Sequence, residues 1–167
     1  MAIFILSIDC SLSMATVNTH SLIESINLFL KYHENSTIIS TFNSVIGNRI
    51  LNKNSVDESD FNFIGGSNIY ASIIQNLEYV KNHHDNPKIA YILITDGHGN
   101  EPNKDELIKK AEILARKSDV YFFHVGHFED IFEWDNPDYL STDINEINDA
   151  NELISILFTA SHIIEKQ

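Results

Sequence analysis

The sequence predicts an α/β protein built on a doubly wound, mostly parallel central sheet with one antiparallel edge strand and helices on both faces. The runs Ile3 to Ile8, Ile89 to Ile94 and Val120 to Val125 are short, nearly continuous and rich in Ile, Val and aromatics. Such runs suit strands buried on both faces of a parallel sheet. Segments between and after them carry apolar residues at helical spacing. Strands alternating with amphipathic helices call for right-handed crossovers that lay helices on both sides of one sheet.

Taken in order, the first strand is Ile3 to Ile8, and Leu22, Ile23, Ile26, Phe29 and Leu30 mark one face of a first helix. A second strand, Thr37 to Phe42, is followed by Val45 to Leu51 after only Asn43 and Ser44. So short a gap predicts an antiparallel hairpin at one edge of the sheet. Ile69, Ile73, Ile74, Leu77 and Val80 line a second helix, entered from Gly65-Gly66-Ser67. The strand Ile89 to Ile94 leads to a helix marked by Leu107, Ala111, Leu114 and Ala115, then to the strand Val120 to Val125. A last helix spans about Ala150 to Ile164, with Leu153, Ile156, Leu157, Ala160, Ile163 and Ile164 inward. Phe128 to Asp143 has the least regular pattern, and the richness of the chain in Asn points to no function.

At 167 residues the chain is long enough for one substantial core and short for two, so residues 1–167 are expected to form a single domain. With 43% hydrophobic and 21% charged residues the composition is that of a folded globular protein. The formal net charge of −13 repels phosphate backbones and anionic lipid, so neither nucleic acid nor a membrane surface is expected as a partner. The surplus of carboxylates also favours cations, although most of them are expected to form a solvated surface. The single cysteine, Cys10, has no internal disulfide partner, which fits a reducing, cytoplasmic setting. The apolar start Ile3 to Leu6 has no preceding basic residue and reaches Asp9 too soon for a signal sequence, and no run approaches membrane-spanning length.

In doubly wound sheets ligands sit beyond the carboxyl ends of the strands. Asp9 directly follows the first buried run, and Asp96 follows the run Ile89 to Ile94 after Thr95, so both carboxylates are expected at the same sheet edge. Ser11 and Ser13 place hydroxyls two and four residues after Asp9. Ser67, after two glycines that permit tight backbone geometry, presents a further hydroxyl at a helix start. Two carboxylates and three hydroxyls form a hard-oxygen set suited to Mg²⁺, with Mn²⁺ or Ca²⁺ as alternatives, and unsuited to zinc. The two carboxylates offset a +2 cation while neutral hydroxyls donate weakly, which leaves the cation able to accept an external anion. Mg²⁺ takes about six oxygens, so water or a partner carboxylate must complete its shell.

Asp9-Cys10-Ser11-Leu12-Ser13 resembles the DxSxS signature of the metal-ion-dependent adhesion site (MIDAS) of von Willebrand factor A domains. Ser67 after Gly65-Gly66 is similar to that family's lone threonine, and Asp96-Gly97 after Ile92-Leu93-Ile94-Thr95 to its final aspartate. The parts occur in the family's order and spacing, and the resemblance covers essentially the whole chain. It implies the Rossmann-like fold of a stand-alone intracellular member, with Ser11, Ser13 and Ser67 touching the metal directly. Asp9 and Asp96 would act directly or through water, and a partner's Asp or Glu would take the open position. Ser67 departs from the usual threonine; the hydroxyl survives, but the methyl that limits its rotamers does not.

Each piece also has an ordinary structural reading: Ser67 as a helix N-cap, Ser11 and Ser13 as turn chemistry, Asp96-Gly97 as a strand-end turn. In combination the functional reading is preferred. His98 is read as a solvated loop residue and stays outside the site. His83, His84, His124 and His127 lack metal-ligand spacing, and Cys10, with no cationic residue close in sequence, is expected to be a partly buried small side chain. Phe132 and Trp134, interleaved with Glu129, Asp130, Glu133 and Asp135, are candidate partner anchors, against an ordinary reading as rings folded onto the sheet.

The expected function is a non-enzymatic, divalent-metal-dependent protein–protein interaction module, a component of a larger intracellular assembly. One alternative is a Mg²⁺-dependent phosphatase-like hydrolase of the haloacid dehalogenase type; that chemistry needs an acid two residues after the nucleophile, where this chain has Ser11, and no Gly-rich phosphate loop is present. The other is a metal-independent scaffold with a vestigial site.

Overall fold

In the computed structural model, which describes residues 1–97, 101–126 and 150–166, five strands form one sheet: β1 (Ala2–Asp9), β2 (Thr37–Asn43), β3 (Gly47–Leu51), β4 (Lys88–Ile94) and β5 (Asp119–Val125). Their order is β3-β2-β1-β4-β5. β1 runs parallel to β2 and to β4, β4 runs parallel to β5, and β3 pairs antiparallel with β2. This is the α/β, Rossmann-like class with one antiparallel edge strand. The strand order reverses between β1 and β4, at the centre of the sheet, the position at which doubly wound folds place their ligands.

Among the described residues four α-helices cover the sheet: α1 (Thr19–His33), α2 (Ile69–His83), α3 (Lys104–Arg116) and α4 (Ala150–Lys166). The two faces follow from the period-two alternation of the strands. Phe4, Leu6 and Ile8 of β1, with Ala90, Ile92 and Ile94 of β4, pack against the α1 and α4 side. Ile3 and Ile5, with Ile89, Tyr91 and Leu93, pack against α2 and α3. Continuing that alternation puts Ser7 and Asp9 of β1, and Thr95 beyond β4, on the α2 side. This parity aims the acid at the helix that brings its hydroxyl partner.

The hairpin differs slightly from expectation, because β3 starts at Gly47 and not at Val45. The Asn43 side-chain carbonyl accepts from Val45 N at 3.0 Å and from Ile46 N at 2.7 Å, so these residues are held in a turn before pairing resumes. Between β1, β2 and α2 lies a buried polar cluster centred on Asn76, whose amide donates to Ser40 Oγ at 2.8 Å and to Tyr91 Oη at 3.0 Å. Its carbonyl accepts from Asn48 of β3 at 2.8 Å, which ties the edge strand to α2.

Candidate metal centre

Asp9 closes β1 and is fully buried. Its Oδ1 accepts from Ser11 N at 2.9 Å, while Oδ2 accepts from the Ser67 hydroxyl at 2.8 Å and from the Thr95 hydroxyl at 2.7 Å. One carboxylate thus joins the β1 loop, the approach to α2 and the end of β4. Burial pushes the Asp9 carboxyl above its ordinary range, against the lowering effect of its bonds from Thr95, Ser11 and Ser67. An anion so placed gains from a nearby cation, which offsets the cost of removing it from water.

Ser11 is buried, and its hydroxyl lies 3.1 Å from that of Ser13, which is exposed. A short 3-10 turn, Leu12–Thr16, holds both before α1 begins at Thr19. Ser67 is buried but is not the helix cap: Asn68 holds that position with no side-chain hydrogen bond. Its hydroxyl is spent on Asp9 instead. Three loops are laced together beneath these groups, by Leu12 N to Gly65 O at 2.9 Å, Ser44 N to Gly66 O at 2.8 Å and Cys10 N to Phe42 O at 2.8 Å. Gly65 has φ +68, and a Cβ there would lie 2.6 Å from Val45 Cγ2, so the close approach that aims Ser67 requires glycine.

Asp96 is half-buried, and its Oδ1 is buried without a hydrogen-bond partner among the described residues. It directly follows Thr95, which bonds Asp9 and also accepts from Gly97 N at 3.1 Å. A buried carboxylate oxygen left without a donor is costly. Asp9, Ser11, Ser13, Ser67 and Asp96 therefore fit a hard divalent cation by donor chemistry, by the burial of Asp9, Ser11 and Ser67, and by this orphaned oxygen. Cys10 is buried, and desolvation together with the adjacent Asp9 pushes its thiol up to about 12. It is an inert space-filler.

Two residues escaped the sequence reading. Thr95 is fully buried beside Asp9; the strand parity of Leu93 and Thr95 was the available signal. Glu101 is buried, with Oε1 accepting from Tyr70 N and Oε2 from Ala71 N at 2.9 Å, so it caps the first turn of α2 from across the sheet edge. Burial raises its carboxyl to about 7, against Ala71 N and Lys104. No local pattern announces such a long-range cap. Phe132, Trp134 and His98 lie outside the described residues.

Neither a protein-family model nor a curated protein matches the sequence. Solved structures do share its fold. The pilus adhesin SpaC from Lactobacillus rhamnosus GG matches with a TM-score of 0.66 at 13% identity, over 99% of this chain and 31% of that one. Proximal thread matrix protein 1 from the mussel byssus gives 0.60 at 16%, over 94% of this chain and 47% of that one. An aerotolerance-related membrane protein from Bacteroides fragilis gives 0.59 at 15%, over the whole of both chains. The chain thus spans less than half of the first two. Among the described residues no helix is long and apolar enough to cross a membrane. The likeness is one of fold.

Proposed function

We propose that this chain is a von Willebrand factor A-type interaction module whose Asp9, Ser11, Ser13, Ser67 and Asp96 hold Mg²⁺, or Mn²⁺ or Ca²⁺ in its place, and that it binds protein without catalysing a reaction. The observation that carries this reading is the convergence on Asp9 of hydroxyls from two distant segments, with an Asp96 oxygen, one residue beyond Thr95, that is buried and has no partner among the described residues. The bound cation would supply an electrophilic position for a carboxylate. The protein residues do the rest: Asp9 and Asp96 balance the charge, Ser11, Ser13 and Ser67 orient neutral oxygens, and Thr95 fixes the Asp9 rotamer. The partner is a protein presenting Asp or Glu, in a reducing compartment that suits the lone thiol, within a larger assembly. The description of one fold neighbour as a pilus adhesin is in keeping with a binding role.

The test is calorimetric titration of wild type and the Ser11→Ala/Ser13→Ala double variant with Mg²⁺ and Mn²⁺. Single-site binding by wild type and its loss in the variant are expected. Equal heats for the two proteins would sink the metal reading and favour a metal-independent scaffold.

A further inference from the structure

At the opposite edge of the sheet, between the C-terminal ends of α2 and α3, lies a cavity of about 210 Å³. Its wall is apolar where Leu77 and Val80 of α2, Ile89 of β4 and Leu114 of α3 meet, and Lys81 and Lys117 stand on its lining. This volume is below the roughly 300 Å³ at which small-molecule and cofactor sites usually begin, so it suits one bulky apolar side chain and not a whole cofactor. Both lysines are exposed, and neither is in an ion pair among the described residues. Asp119 and His84 also line the cavity, so the rim carries one carboxylate against two ammonium groups.

The distribution of charge gives the rim its meaning. Seven of the eleven Lys and Arg residues fall between residues 78 and 119, against eight Asp and Glu, so this stretch carries −1 of the molecule's −13. The layer formed by α2 and α3 is therefore nearly neutral in a strongly acidic protein, and at its lower end ammonium groups flank an apolar hollow. An acidic partner repelled by the rest of the surface meets its least hostile approach here.

We propose that this cavity is a second protein-docking site, which takes an acidic peptide segment of a partner by burying one aromatic or large aliphatic side chain against Leu114 and Pro87, over a floor of the buried Leu77 and Ile89, while flanking carboxylates face Lys81 and Lys117. Apolar anchors in desolvated pockets carry most of the energy of such contacts, and rim charges set approach and selectivity. The site is independent of the metal centre. The seven residues of β4 separate the two edges by roughly 20 Å at about 3.3 Å per residue. A module engaged at both edges would bridge two proteins.

The experiment uses the full chain and two probes, acetyl-Asp-Glu-Phe-Asp-Glu-amide and the same peptide with Ser in place of Phe, followed by methyl NMR shifts. The Phe peptide is expected to move the Leu77, Ile89 and Leu114 resonances, to bind at least about tenfold tighter than the Ser peptide, and to weaken at high salt. Its binding should drop about tenfold in Lys81→Glu/Lys117→Glu, a surface variant that leaves the core untouched, and persist in excess chelator. Equal responses to the two peptides, shifts confined to other residues, or loss of binding in chelator would each overturn the proposal. Loss in chelator would move the peptide to the metal centre, whereas the other outcomes leave Mg²⁺ binding there untouched, so the two readings can fail separately.

Discussion

Asp9 shows how little of a site is local. The spacing of Ser11 and Ser13 after it is written in adjacent residues, and that much was legible. The bonds that orient its carboxylate come instead from Ser67 and Thr95, fifty-eight and eighty-six residues away. Thr95 could have been named from strand parity, because it continues the α2-facing series of Tyr91 and Leu93. Replacing it by Val keeps the shape but removes a donor from a buried carboxylate and an acceptor from Gly97 N. Thr95→Val is expected to cost about 1–3 kcal/mol in urea unfolding, and to weaken Mg²⁺ binding because the Asp9 rotamer loses one of its two hydroxyl tethers. A Val variant that unfolds at the wild-type midpoint and titrates Mg²⁺ like wild type would show that Ser67 alone suffices.

At the scale of elements, the four described helices follow from apolar periodicity and the strands β1, β4 and β5 from short, nearly continuous apolar runs, whereas the hairpin strand β3 was read from the short gap after β2 and begins two residues later than expected. What periodicity left open was how α2 is terminated. The ordinary alternative for Ser67, a helix cap, does not hold: Asn68 takes that position and Glu101 satisfies the amides of Tyr70 and Ala71. A cap supplied thirty residues downstream is a product of tertiary folding and leaves no trace in the sequence around α2. It has a consequence for stability. With a folded-state pKa of about 7 against an ordinary 4.5, Glu101 binds its proton more tightly in the folded protein than in the unfolded chain. Its contribution is therefore fully present below pH about 4.5 and is lost as pH rises to about 7. Asp9 acts with the same sign. Metal-free protein is expected to lose unfolding free energy across that window, and Glu101→Gln, which cannot titrate, to lose less. Denaturant midpoints at pH 5 and pH 7.5 for the two proteins measure this directly. An unchanged difference in the variant would mean that the amides of α2 hold Glu101 ionised throughout.

For the molecule as a whole, the fold and the charge pull in different directions. The parallel topology collects strand ends, so it gathers Asp9, Thr95 and Asp96 at one edge of a protein that already carries −13. A buried carboxylate, and a buried oxygen without a partner among the described residues, make the protein less stable than its core alone would allow, and a cation bound only by the folded state, as proposed above, would relieve both. Binding to the folded state stabilises by mass action, about 2.7 kcal/mol when the free ligand stands at 100 times its Kd. Mg²⁺ is therefore expected to raise the Tm progressively in wild type, and NaCl at matched ionic strength to do so much less, because screening acts on the diffuse surface charge and not on a coordinated oxygen. The Ser11→Ala/Ser13→Ala variant separates these effects, since it keeps the net charge and removes only neutral oxygens. A Tm that rises equally with Mg²⁺ in both proteins would assign the stabilisation to the acidic surface at large; a rise confined to wild type would place it at the strand ends.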